Sequence, residues 1–79
     1  MISVKVLGSG CKKCQTLETK VRELVVKNNI NAVVEKITDI QEMMNYGIIM
    51  TPGLVINEEV KSFGIIPKDE QILSWLREN

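Results

Sequence analysis

The spacing of apolar positions changes once early in the chain. Ile2, Val4 and Val6 alternate with Ser3, Lys5 and Leu7, the two-residue repeat of a strand. Gly8-Ser9-Gly10 interrupts that repeat. From Cys11 the spacing is helical: Cys14, Leu17, Val21, Leu24 and Val25 share one face, and Lys12, Lys13, Thr16, Lys20, Glu23 and Lys27 take the other. Asn28-Asn29 ends the helix, and Ala32 to Ile37, with Val33 and Val34, predicts a second strand. Asp39 reads as an N-cap, with Glu42 completing a capping-box pattern. That helix would bury Ile40, Met43 and Met44 and stop at Gly47. Leu54 to Ile56 predicts a third strand, which turns at Asn57-Glu58 into a fourth from Glu59 to Phe63. Gly64 punctuates, Pro67 suits the first turn of a last helix, and Ile72, Leu73, Trp75 and Leu76 form its apolar side.

The order is therefore βαβαββα. An opening strand, helix and strand imply two parallel strands joined by a crossover, and the tight turn near the end implies an antiparallel pair. The expected architecture is a single α/β domain over residues 1–79, a four-stranded mixed sheet with helices on both faces. No linker or repeat interrupts it.

Charge and composition narrow the function. Ten Lys and Arg balance ten Asp and Glu, and hydrophobic residues make up 44% of the chain, which suits a packed globule. Nucleic acid is a poor fit as main partner, since phosphate neutralisation needs a basic surplus. No apolar run approaches the ~18–20 residues that span a bilayer, and the N-terminus has no leader pattern, so a cytoplasmic monomer is expected. Histidine is absent. That removes Ser-His-Asp and Cys-His nucleophile systems and His-ligated metal sites. Two cysteines alone cannot close a four-ligand zinc site either. What chemistry remains centres on the only two thiols, Cys11 and Cys14.

A bridge closing so short a loop is a weak structural staple, worth ~2 kcal/mol in the chain-entropy model against ~3 for fifteen residues. Redox or metal work is the better reading. Cys-x-x-Cys directly after a first strand and opening a helix is a specific redox context. Free N–H groups and the helix dipole favour an anion there, and Lys12 and Lys13 add thiolate-stabilising positive charge. Lowering a thiol pKa from ~8.5 to ~7 raises its thiolate fraction at pH 7 from ~3% to ~50%, and the lost intrinsic nucleophilicity leaves a net gain of about threefold. Cys14 continues the buried helix face, whereas Cys11 sits at the cap. Cys11 is therefore expected to be the attacking thiol and Cys14 the resolving thiol. Gly8-Ser9-Gly10 imitates the start of a dinucleotide fingerprint, but Lys13 stands where its third glycine belongs.

Thr51-Pro52-Gly53 precedes the third strand, where a proline must start a strand or lie on an edge. At this point the chain resembles the thioredoxin superfamily, in particular the small thioredoxin-like proteins of the redox-active disulfide protein 2 type. The residues that carry the resemblance are Val6-Leu7-Gly8-Ser9-Gly10-Cys11-Lys12-Lys13-Cys14, Thr38-Asp39-Ile40, Tyr46-Gly47, Met50-Thr51-Pro52 and Leu54-Val55-Ile56-Asn57. It covers essentially the whole chain. It implies thiol–disulfide exchange with a disulfide-containing protein or small molecule, a thiol reductase as partner, and no cofactor or metal. It implies a cis Pro52 beside the cysteines, and a substrate site made by Gly10, Thr51 and Pro52 in which Thr51 backbone groups bind an extended segment.

The chain departs from that pattern in places. It lacks the tryptophan before the first cysteine, the proline between the two, and the acidic residue of the first strand. Lys5, charged and on that strand, reads as a solvated or edge lysine, with a thiolate-stabilising role as the alternative. Glu58 replaces a common hairpin glycine. Two other readings compete. A soft-metal carrier would bind Cu(I) through the same thiols with Met43, Met44 or Met50 as further ligands, but such domains run βαββαβ. A non-catalytic adaptor of the thioredoxin fold is the third.

Overall fold

The structure, a computed structural model, describes residues 1–78. The elements follow the order β1 (Ile2–Leu7), α1 (Lys12–Lys27), β2 (Ala32–Ile37), α2 (Ile40–Asn45), β3 (Gly53–Ile56), β4 (Glu59–Phe63) and α3 (Asp69–Arg77). The sheet order is β2-β1-β3-β4, with β1 parallel to β2 and antiparallel to β3, and β3 antiparallel to β4.

The pleat of the two inner strands divides the core. Val4 and Val6 of β1, with Leu54 and Ile56 of β3, meet Leu17, Val21 and Leu24 of α1 and Ile72 and Leu76 of α3. Leu7 and Val55 point the opposite way and meet Met43 and Ile48. Successive side chains of a strand face opposite sides, so β3 is buried along its whole length because both faces are covered. Helices α1 and α3 form one layer and the short α2 the other. The fold is thus α/β with a mixed sheet covered on both faces.

Polar groups set the ends. Asn28 donates from both its backbone and its Nδ2 to Leu24 O, and Asn29 at φ 53° takes the left-handed position beyond the helix. At the end of α2, Gly47 at φ 74° lets Ile48 N reach Met43 O at 2.9 Å. Asn57 and Glu58 have φ of 49° and 68°, the pair of positive values of the mirror-image two-residue turn that fits strand twist.

Some sequence expectations need correction. Ile40 and Met44 are exposed, not buried: six residues of helix cover little sheet, and only Met43 and the following Ile48 reach it. Asp39 caps α2 through Gln41 N at 2.9 Å, but Glu42 makes no described reciprocal hydrogen bond. Pro67 is buried one residue before the Lys68 cap rather than in the first turn of α3, and its carbonyl accepts from Lys20 Nζ. Strand β3 begins one residue early, at Gly53, because Gly53 pairs with both Leu7 and Phe63.

Ser62 is the one buried polar side chain of the described core, and its Oγ has no hydrogen-bond partner. An unpaired buried hydroxyl costs about 1–3 kcal/mol. Ser62→Ala is therefore expected to raise stability by about 1 kcal/mol, or roughly 4–8 °C in Tm, in a denaturation experiment. Unchanged or lower stability would show that the hydroxyl is satisfied in solution.

Candidate active site

The parallel strands β1 and β2 end together, with Gly8 N donating to Ile37 O at 2.9 Å, and the chain then turns through Ser9 and Gly10 into α1. Gly10 holds φ at 91°, which an L side chain rarely adopts, and its carbonyl accepts from Gln15 Nε2 at 3.0 Å. This turn delivers Cys11 to the N-cap of α1. The Cys11 sulfur occupies the place of a capping oxygen and accepts from Cys14 N at 3.2 Å.

Cys11 and Cys14 are joined in a disulfide with a Cα–Cα separation of 5.0 Å. Their environments differ. Cys11 is exposed, whereas Cys14 is 4% exposed and opens the apolar face that continues through Leu17, Val21 and Leu24. The first turn of α1 contains no acidic residue; Lys12 and Lys13 are exposed, and neither is in a described ion pair. The first-turn amides and the helix dipole favour an anion at this end of α1.

The loop before β3 lies alongside. The Thr51–Pro52 peptide bond is cis, Pro52 is buried and Thr51 half-buried. Register explains the placement. Leu7 pairs with Gly53, so Gly8 and Pro52 continue the two strands past their last pair. Gly8 is where the parts meet: a methyl group there would overlap Cys14 Sγ, approach Cys14 Cβ at 2.9 Å, and touch Thr51 Cβ at 3.8 Å. The cysteine helix and the Thr51 loop therefore close on a strand end that has no side chain. In the sequence Gly8 reads as a strand breaker and as part of the family motif, with no packing role. No local pattern separates a glycine that only ends a strand from one that a helix packs across.

Lys5 also differs from its expected role. Strand β1 is central, so Lys5 is not on an edge. Its Nζ donates to Tyr46 OH and to Glu58 Oε1, both at 2.9 Å, and Tyr46 OH donates to Glu58 Oε2 at 2.8 Å. The ring ties β1 to the end of α2 and to the β3–β4 turn. Tyr46 and then Glu58 hold the Lys5 ammonium above the ordinary lysine range, and Lys5 and then Tyr46 hold the Glu58 carboxyl below the ordinary carboxylate range. Because the folded-state value of Glu58 is depressed, its contribution is present above the unfolded-state value of ~4.3 and is lost as pH falls through the folded-state value. Glu58→Gln should thus reduce stability at pH 7 and bring the two proteins together in strong acid, as pH-resolved urea melts would show. A constant gap across that range would remove the carboxylate from the explanation.

A disulfide at a helix N-terminus, with one sulfur exposed and one sheltered beside a cis-proline loop, defines a dithiol–disulfide exchange site. A Thioredoxin domain family model matches residues 2–77. A thioredoxin of Methanothermobacter thermautotrophicus is 35% identical over 72 residues, covering 91% of this chain and 94% of the relative. A thioredoxin of Methanocaldococcus jannaschii is 30% identical over 77 residues, covering 98% of this chain and 88% of the relative. In fold, the crystal structure of Deadhead, a germline-specific thioredoxin of Drosophila melanogaster, superposes with a TM-score of 0.69 at 19% identity, over 98% of this chain and 79% of that one. The chain belongs to the thioredoxin family. It is a thioredoxin-type thiol–disulfide oxidoreductase whose redox pair is Cys11–Cys14. Among the described residues, no helix is long and apolar enough to cross a membrane.

Proposed function

We propose that Cys11 is the attacking thiol and Cys14 the resolving thiol. The Cys11 thiolate attacks one sulfur of a partner disulfide and displaces the other as a thiolate, forming a mixed disulfide. The Cys14 thiolate then attacks the Cys11 sulfur, releases the partner's remaining thiol and closes the Cys11–Cys14 bridge. Two electrons pass to the partner, and its two thiolates take up protons. A thiol reductase partner restores the dithiol by the same exchange. The observation that carries this assignment is the unequal exposure of the two sulfurs, with Cys11 open at the cap and Cys14 covered.

Lys12 and Lys13 favour the thiolate by charge, as first-turn residues of a helix without acidic neighbours there. Gly10, Thr51 and Pro52 contact the substrate. Among the described residues no hydrogen bond uses the Thr51 N–H or C=O, which leaves both available to an extended peptide. Exposed apolar side chains adjoin that loop in sequence and pairing: Ile49 and Met50 precede Thr51, and Phe63 pairs with Gly53. Exposed apolar side chains beside the loop favour a protein disulfide over a small one. The same reading takes the protein as a single-domain cytoplasmic monomer that works without a cofactor or a metal.

Alkylation of the reduced protein tests the roles. With limiting iodoacetamide, Cys11 should be modified about tenfold faster than Cys14, as read by peptide mass mapping. Faster modification of Cys14 would reverse the assignment.

A further inference from the structure

The charge of the chain is unevenly placed. Helix α1 holds Lys12, Lys13, Lys20, Arg22 and Lys27 against Glu18 and Glu23, a net charge of +3 in a chain whose total is zero. Glu18 is bound to Arg22 at 3.0 Å, and Asp69 of α3 to Lys20 at 2.9 Å. Asp39, at the sheet end where the thiols lie, is committed to capping α2. Lys12, Lys13 and Lys27 have no described ion-pair partner.

Three lysines of α1 line a groove together with two acids, a lining charge of +1. A cavity of about 590 Å³ runs along α1 beside the start of α3, bounded by Lys12, Thr16, Lys20, Glu23, Lys27 and Asp69. It begins one residue from Cys11. Lys12 and Lys27 lie about 22 Å apart along the helix axis at 1.5 Å per residue. That length matches roughly seven residues of extended peptide and exceeds what a small disulfide spans. Glu23, the one acid in the groove without a described ion pair, stands about 16 Å along the axis from Lys12. That is about two Debye lengths at physiological salt, so Glu23 offsets the neighbouring Lys27, one turn away, rather than the Lys12 charge beside the thiol.

We infer that this groove docks an acidic, extended segment flanking the disulfide of a partner protein. The inference rests on the exchange reading above and adds a preference in substrate charge. Basic side chains beside the attacking sulfur raise the local concentration of such a partner and orient its disulfide toward Cys11.

Two disulfide-bonded peptides of equal length test it, one with Asp and Glu beside its cysteines and one with Ser and Gln. Each is mixed with the reduced protein at low and at high ionic strength, and closure of the Cys11–Cys14 bridge is followed by acid quench and mass spectrometry. The acidic peptide should react about tenfold faster at low salt, with the advantage shrinking at high salt. Lys27→Glu should cut that advantage at least about threefold and Lys27→Gln by less, with melting temperatures confirming that both variants fold. Equal rates for the two peptides, or a preference untouched by salt or by Lys27→Glu, would overturn the inference and leave the exchange reading standing. If neither peptide oxidises the dithiol, the exchange reading itself fails.

Discussion

Gly8→Ala is expected to damage both the fold and the exchange reaction. The added methyl group would occupy space held by the Cys14 sulfur and lie 2.9 Å from Cys14 Cβ. That Cβ cannot move alone, because α1 is fixed three residues later by Leu17, which has no exposed surface. Either the first turn of the helix tilts away from the strand or the sulfur leaves its seat. Overpacking of this kind costs about 1–3 kcal/mol. If half of that cost reappears in the exchange transition state, the rate falls by about twofold to twelvefold. Gly10→Ala provides the contrast. No atom lies within 4 Å of the added carbon there, so its penalty comes only from the backbone at φ 91°. It should cost about 1 kcal/mol of stability and leave the sulfur in place. Urea denaturation with single-turnover exchange separates the two. An unimpaired Gly8→Ala protein would mean that Cys14 is not held against the strand end.

Loss of either thiol has the larger kinetic effect, and the two losses should differ in kind. On the proposed roles, Cys11→Ser removes the attacking atom and should lower exchange at least about a thousandfold, with no covalent partner trapped. Cys14→Ser keeps the attack and removes the resolving step, so a mixed disulfide with the substrate should accumulate and be visible by mass spectrometry. Turnover is lost in both. Accumulation on Cys14 in the Cys11→Ser protein would invert the roles.

Much of this site is legible in the sequence. The two-residue repeat from Ile2 and the helical spacing from Cys14 to Val25 place a strand, a tight turn and a helix in succession, and that alone sets the thiol pair at a helix start. Other features depend on contacts between distant residues. Periodicity shows that Ile40 and Met44 share a side of α2 with Met43, but not that a six-residue helix covers too little sheet to bury them. Lys5 reads as solvated until strand order makes β1 central and brings Tyr46 and Glu58, 41 and 53 residues away in sequence, to its ammonium. Glu58 takes its left-handed position from the two-residue turn between Ile56 and Glu59. The need for Gly8 comes from the helix that packs across it, which no local pattern reveals.

The exchange chemistry turns on reversible bridging of Cys11 and Cys14. Equilibrating the protein across a series of glutathione buffers and quenching with acid measures it directly. The pair should titrate as one two-electron couple, at ~30 mV per tenfold change in ratio, with a potential between the thioredoxin value of ~−270 mV and the strongly oxidising ~−120 mV. Two thiols that never bridge at any poise, or that form separate mixed disulfides with glutathione instead, would contradict it.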